Sequence, residues 1–138
     1  MYRLILGAIA FCFSAGIYAQ QGMQAGIWEM TSEMKMPGMQ MPVQKWSHCL
    51  SAKDMAEGKQ HSMDDGRSTC QMSDLRIVGT GYSYAFVCTS PDGKMSGKAS
   101  GTSTNTSYKT NIVLKMAPDP GVGEINQIVT GRRTGDCK

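Results

Sequence analysis

Four methionines fall within the eight residues Met34-Lys35-Met36-Pro37-Gly38-Met39-Gln40-Met41, and His48 lies a little further along. Thioethers are soft, neutral ligands. They suit Cu(I) and bind it without having to lose a proton. A turn at Pro37-Gly38 could bring three of Met34, Met36, Met39 and Met41 to one point, with His48 as an additional ligand. Copper is the one cofactor these residue types suggest. Packing is the competing account, because Met34 and Met36 continue an apolar face that begins at Trp28. Methionine also fills irregular cores well. Only Met39 and Met41 fall outside that periodic pattern.

The cysteines offer a different chemistry. Cys49, Cys70, Cys88 and Cys137 form an even set once Cys12 is set aside with the N-terminal segment. In a small exported chain such a set predicts two disulfides. Three connectivities are possible. The strands holding Cys70 and Cys88 are joined by a tight turn near Thr80, so these two sulfurs lie near one end of a sheet. Three further strand reversals carry Cys137 to the opposite end, beyond the reach of about 4.4–6.8 Å between bridged Cα atoms. Strand parity therefore ranks Cys70–Cys88 with Cys49–Cys137 first. A fold-back of residues 131–135 would defeat that count.

Other constellations are weaker. Tyr82, Tyr84 and Phe86 share one face of a strand and could line a ligand cavity, although such a row is more often core. His48 and His61 are the two histidines. No strand-to-helix Gly-x-Ser-x-Gly accompanies them, so a hydrolase has no positive support. No Cys-x-x-Cys supports a redox enzyme. Asp64-Asp65-Gly66 lacks the alternating ligands of a calcium loop. Asn105-Thr106-Ser107 matches a glycosylation sequon in form only. The expectation is a chain without enzymatic activity.

The elements that must position these residues are mostly strands. Trp28, Met30, Ser32, Met34 and Met36 alternate with Glu29, Thr31, Glu33 and Lys35, the pattern of a half-buried strand ended by Pro37-Gly38. A second strand is expected from Val43 to Cys49. Ser51 to Glu57 is the one helix, with Ser51 and Asp54 as an acidic capping box, Leu50 and Met55 as a hydrophobic staple, and Gly58 as terminator. Four strands follow Cys70. The first runs from Met72 to Val78. The second sets Tyr82, Tyr84, Phe86 and Cys88 on one face. The third sets Met95, Gly97, Ala99 and Gly101 inward, small residues that suit close packing against an aromatic neighbour. The fourth sets Tyr108, Thr110, Ile112, Leu114 and Met116 inward. A last strand spans Glu124 to Arg133. The fold class is mainly β: seven strands in a single antiparallel meander sheet, open or curled into a partial or closed barrel, with one short helix and two disulfides.

Residues 1–19 read as a secretory signal peptide. Arg3 is followed by an apolar run from Leu4, shorter than the ~20 residues of a spanning helix. Residues 20–138 then make one domain, with no retained transmembrane helix. The formal net charge of +3 is too mild to imply a nucleic-acid partner. Arg132-Arg133 reads as a surface pair.

These residues together resemble the bacterial family called domain of unknown function 3617, exported proteins of Gram-negative bacteria. The resemblance rests on Gly26-Ile27-Trp28-Glu29-Met30-Thr31, on Met36-Pro37-Gly38-Met39-Gln40-Met41-Pro42, and on Cys49-Leu50-Ser51. It continues through Cys70, Phe86-Val87-Cys88-Thr89 and Gly131-Arg132-Arg133-Thr134-Gly135-Asp136-Cys137. It implies periplasmic residence and the four-cysteine framework, and it brings no catalytic residues and no ligand. The expectation is a periplasmic binding or envelope-accessory module, whose partner is a small molecule, a lipid or an envelope protein. The alternative is a copper-binding protein using the methionine-rich turn.

Overall fold

The computed structural model describes residues 22–56 and 67–138. The expected signal segment, Glu57, Gly58, His61 and Asp64-Asp65-Gly66 lie outside these residues.

Among the described residues, eight strands build one antiparallel sheet: β1 Gly26–Met36, β2 Met39–Gln40, β3 Gln44–Leu50, β4 Thr69–Val78, β5 Gly81–Ser90, β6 Gly93–Ser103, β7 Ser107–Ala117 and β8 Ile125–Gly135. The extra strand relative to the sequence reading is β2, a two-residue partner of β1 across Pro37-Gly38. Gly38 has φ +76°. With proline before it, this is the residue pattern of a type II turn, which needs a positive φ at its third position.

Strands β4 to β8 run as a meander, each paired with the next. The first strand then departs from sequential order. β1 lies between β8 on one side and β2 and β3 on the other, giving the spatial order β2-β1-β8-β7-β6-β5-β4 with β3 also on β1. Among the described residues the sheet does not close into a barrel. Its two edges are β4 at one end and β3 with β2 at the other. Residues 71–80 of β4 and its turn are all exposed, including Leu75, Ile77 and Val78. A register shift between Ser73 and Arg76, with Asp74 at φ 54°, breaks the regularity of this edge. Such bulges hinder edge-to-edge pairing with other chains.

Both disulfides sit at these edges. Cys70 of β4 is directly opposite Cys88 of β5 and bonded to it. Cys49 of β3 is bonded to Cys137, just beyond β8, with 5.7 Å between the Cα atoms. Cys49 is in register with Ile27 of β1, and Ile27 is in register with Gly135. The bridge thus spans β1 and clamps β3 to the C-terminal segment.

The helix α1 covers Ala52–Ala56. Its capping box is reciprocal: the Asp54 amide donates to Ser51 Oγ at 3.1 Å, and the Ser51 amide donates to Asp54 Oδ2 at 3.0 Å. Two of the amides that a helix start leaves without partners are satisfied this way.

One face of the sheet is the inner face. Phe86, Cys88, Ala99, Ile112, Leu114 and Ile125 form its apolar core, with Met34, Met36, Cys70, Tyr84 and Met95 packed against them. The alternation expected for β1, β5, β6 and β7 places every one of its inward residues on this face. Inward glycines make room for rings. A Cβ on Gly97 would come within 2.7 Å of Phe86 Cζ, and one on Gly131 would collide with the Tyr108 ring.

Candidate functional site

Beyond the apolar core, toward the β4–β5 and β6–β7 turns, the inner face changes character. One transverse row reads Ile77, Tyr82, Gly101, Thr110, Val129, Ser32 and Gln44, carried from β4 through to β3 by direct register. Glycine at position 101 leaves the space between Tyr82 and Thr110 open. The Tyr82 hydroxyl crosses β6 there and hydrogen-bonds the Thr110 hydroxyl. On the far side of Val129, Gln127 Nε2 donates to Ser32 Oγ at 2.8 Å. Ser32 and Thr110 are the buried polar groups among the described residues, and both are satisfied, as burial requires.

Aromatic rings flank this row. Tyr82 and Tyr84 lie nearly parallel, 12° apart, with centroids 6.3 Å apart. Tyr108 packs against Trp28 at 5.8 Å. Tyr82, Tyr84 and Tyr108 are half-buried, and Trp28 is completely buried. The lining is hydroxyls, the amides of Gln44 and Gln127, and ring faces, with no carboxylate and no amine along the row.

Burial pushes the phenols of Tyr82, Tyr84 and Tyr108 above their usual value of 10.0. The Thr110 hydrogen bond partly offsets this at Tyr82. The Tyr82 charge adds to it at Tyr84, and the charges of Tyr82 and Tyr84 add to it at Tyr108. All three stay neutral at physiological pH. The unfolded chain releases these protons first as pH rises. The stabilisation from keeping the phenols neutral is therefore complete below pH 10 and is lost as pH climbs through the raised folded values. Unfolding free energy should fall above pH 10, and replacing Tyr82, Tyr84 and Tyr108 with phenylalanine should flatten that fall. Urea titrations from neutral to alkaline pH measure it.

The residues singled out from sequence separate into three places. Tyr82 and Tyr84 belong to the row and its margin, whereas Phe86 is core. Met34 and Met36 pack against the core, Met36 faces Met39 across the turn, and Met39 and Met41 are exposed. His48 is opposite Trp28, eight residues along β1 from Met36, so β1 carries it away from the turn. Among the described residues no group of three His, Cys, Asp or Glu is arranged to hold a metal ion, and no helix is long and apolar enough to cross a membrane. Thr110, Ser32, Gln127 and Tyr108 were not singled out as site residues. Strand parity gives their face, but only the pairing of β1 with β8 assembles them.

A family model described as "Protein of unknown function (DUF3617)" matches residues 23–137. The chain belongs to this family. The match begins just before β1 and ends at Cys137, so it takes in all eight strands and both disulfides of this DUF3617 member. No curated protein and no solved structure matches it.

Proposed function

We propose that this protein is a non-enzymatic, periplasmic binding module that holds an uncharged or amphipathic molecule, such as a lipid, on the aromatic end of its inner face. The observation that carries this reading is the row from Tyr82 through Thr110 to Ser32, flanked by half-open rings. Ring faces and an apolar floor bind chains and flat groups, while a few placed hydroxyls set orientation. Phenols whose ionisation burial pushes above its usual range make poor acid–base catalysts near neutrality. They suit a lining that must exclude charge. Two disulfides fit an oxidising compartment, and by clamping the edge strands they would hold the face rigid before a ligand arrives, which lowers the entropy cost of binding.

Native mass spectrometry of the protein isolated from periplasm tests the reading. A co-purifying mass that disappears in the Tyr84→Ala/Tyr108→Ala variant is the expected result. A bare protein mass, together with no tyrosine fluorescence change on titration with a lysophospholipid, would overturn it.

A further inference from the structure

The opposite face of the sheet carries a charge pattern that the inner-face ligand does not use. Strands β5 to β8 contain six cations, Lys94, Lys98, Lys109, Lys115, Arg132 and Arg133, and no carboxylate. Arg133 is engaged elsewhere, donating to the Ala25 carbonyl at 2.8 Å and pairing with Asp136. The other five point outward and are exposed. Lys115 has one partner, Glu124 at 3.7 Å. Lys94, Lys98 and Lys109 form no ion pair among the described residues, and Arg132, at the margin of the patch, lies opposite Glu29 of β1.

Register sets their spacing. Ser96 is opposite Lys115, so Lys94 and Lys98 each lie about 8 Å diagonally from Lys115, given ~3.4 Å per residue and ~4.8 Å between strands. Lys109 is opposite Thr130 and Arg132 opposite Ser107, which puts that pair at a similar separation. The remaining outward residues of these strands are mostly serine, threonine and asparagine. Soluble surfaces ordinarily intersperse both signs. A broad single-sign face acts on oppositely charged partners.

A groove of about 480 Å³ opens beside the patch. Arg76, Ser83, Ser100 and Asn111 line it as one register row across β4, β5, β6 and β7, with Thr102 beside them and exposed Val78 at the rim. A guanidinium, hydroxyls and an amide are donors for a phosphate oxyanion, and no carboxylate repels it. An apolar rim residue beside cations suits the boundary between headgroups and acyl chains.

We infer that the outward face of β5 to β8 docks on an anionic phospholipid surface, with the adjoining Arg76 groove taking a headgroup phosphate. Charge complementarity selects the surface, and the outward hydroxyls add donors for the headgroups. Each cation near such a surface strengthens binding about 5-fold, and the attraction fades within a Debye length.

Co-sedimentation of the oxidised protein with vesicles tests this. Vesicles of phosphatidylcholine containing one-third phosphatidylglycerol should retain it, and pure phosphatidylcholine should not. Retention should weaken on the order of 100-fold in the Lys94→Gln/Lys98→Gln/Lys109→Gln variant. It should persist when the same three residues become arginine, and Arg76→Gln alone should weaken it about 5-fold. Equal retention on neutral vesicles would overturn the inference, as would an unaffected triple-Gln variant. Retention on DNA or heparin with none on anionic vesicles would also overturn it. The Tyr84→Ala/Tyr108→Ala variant should still bind vesicles, so failure of the inner-face reading and failure of this one are distinguishable.

Discussion

Replacing Cys49 and Cys137 together with alanine should lower the unfolding free energy by about 4–5 kcal/mol, whereas replacing Cys70 and Cys88 together should cost about 3 kcal/mol or less. The first bridge joins residues 88 apart in sequence and the second joins residues 18 apart. On the chain-entropy account, a longer closed loop removes more freedom from the unfolded chain. Native context widens the difference. Cys70 and Cys88 are already held opposite each other by the β4–β5 hairpin, whose turn is short. Cys49 and Cys137 belong to segments that do not pair with each other, and β1 lies between them. Without that bridge β3 keeps only its pairing to β1. Urea unfolding of the two double variants gives both numbers. Equal losses, or a larger loss for the hairpin bridge, would count against this account.

The same arrangement explains which parts of the fold were legible in the chain. Alternation over β1, β5, β6 and β7 fixes which residues face inward, because a one-residue slip would turn the whole apolar set outward. That is why Tyr82, Tyr84, Phe86 and Cys88, and likewise Tyr108, Thr110, Ile112 and Leu114, take the expected face. Strand parity sufficed for the disulfides, since each short turn reverses direction and puts Cys137 at the far end from Cys70 and Cys88. The capping box at Ser51 and Asp54 is local chemistry and needs nothing from the rest of the fold.

Long-range order was not legible. Nothing in β1 or β8 alone dictates that they pair. Their register joins residues about a hundred positions apart, as in Glu29 with Arg132. Ser32 and Gln127 therefore meet only in the folded sheet. Openness was equally hidden. Ile77 and Val78 read as ordinary strand residues, yet among the described residues β4 has no neighbour on its outer side, and they stay exposed. The outward cations were visible as residues. That Lys94, Lys98 and Lys109 share one face with no carboxylate on β5 to β8, and that Arg132 meets Glu29 of β1, emerged once the strands were laid side by side.

Trp28→Ala should cost about 4 kcal/mol, the range for deleting a large aromatic side chain from a core. Trp28 is the largest fully buried side chain among the described residues, at 0% exposure. Two contacts converge on it. Its indole Nε1 donates to the Gln24 carbonyl at 3.0 Å, and Gln24 in turn donates to the Asn105 carbonyl at 2.8 Å, fastening the segment before β1 to the β6–β7 turn. Its ring packs on Tyr108, which lies over Gly131 with no space for a Cβ between them. An alanine leaves a cavity beneath Tyr108 and frees the pre-β1 segment together. Trp28→Phe retains most of the packing and loses the indole donor, so its cost should be nearer 1 kcal/mol. Two readouts separate packing from hydrogen bonding. In the alanine variant Tyr108 gains water, and its phenol should titrate closer to 10.0, the value from which burial raises it. In the phenylalanine variant that titration should stay raised. Trp46, 43% exposed, is the other tryptophan, so intrinsic emission in either variant should shift to the red. A Trp28→Ala protein as stable as the parent, with the Tyr108 titration unmoved, would mean that this ring does not hold the aromatic end of the inner face together.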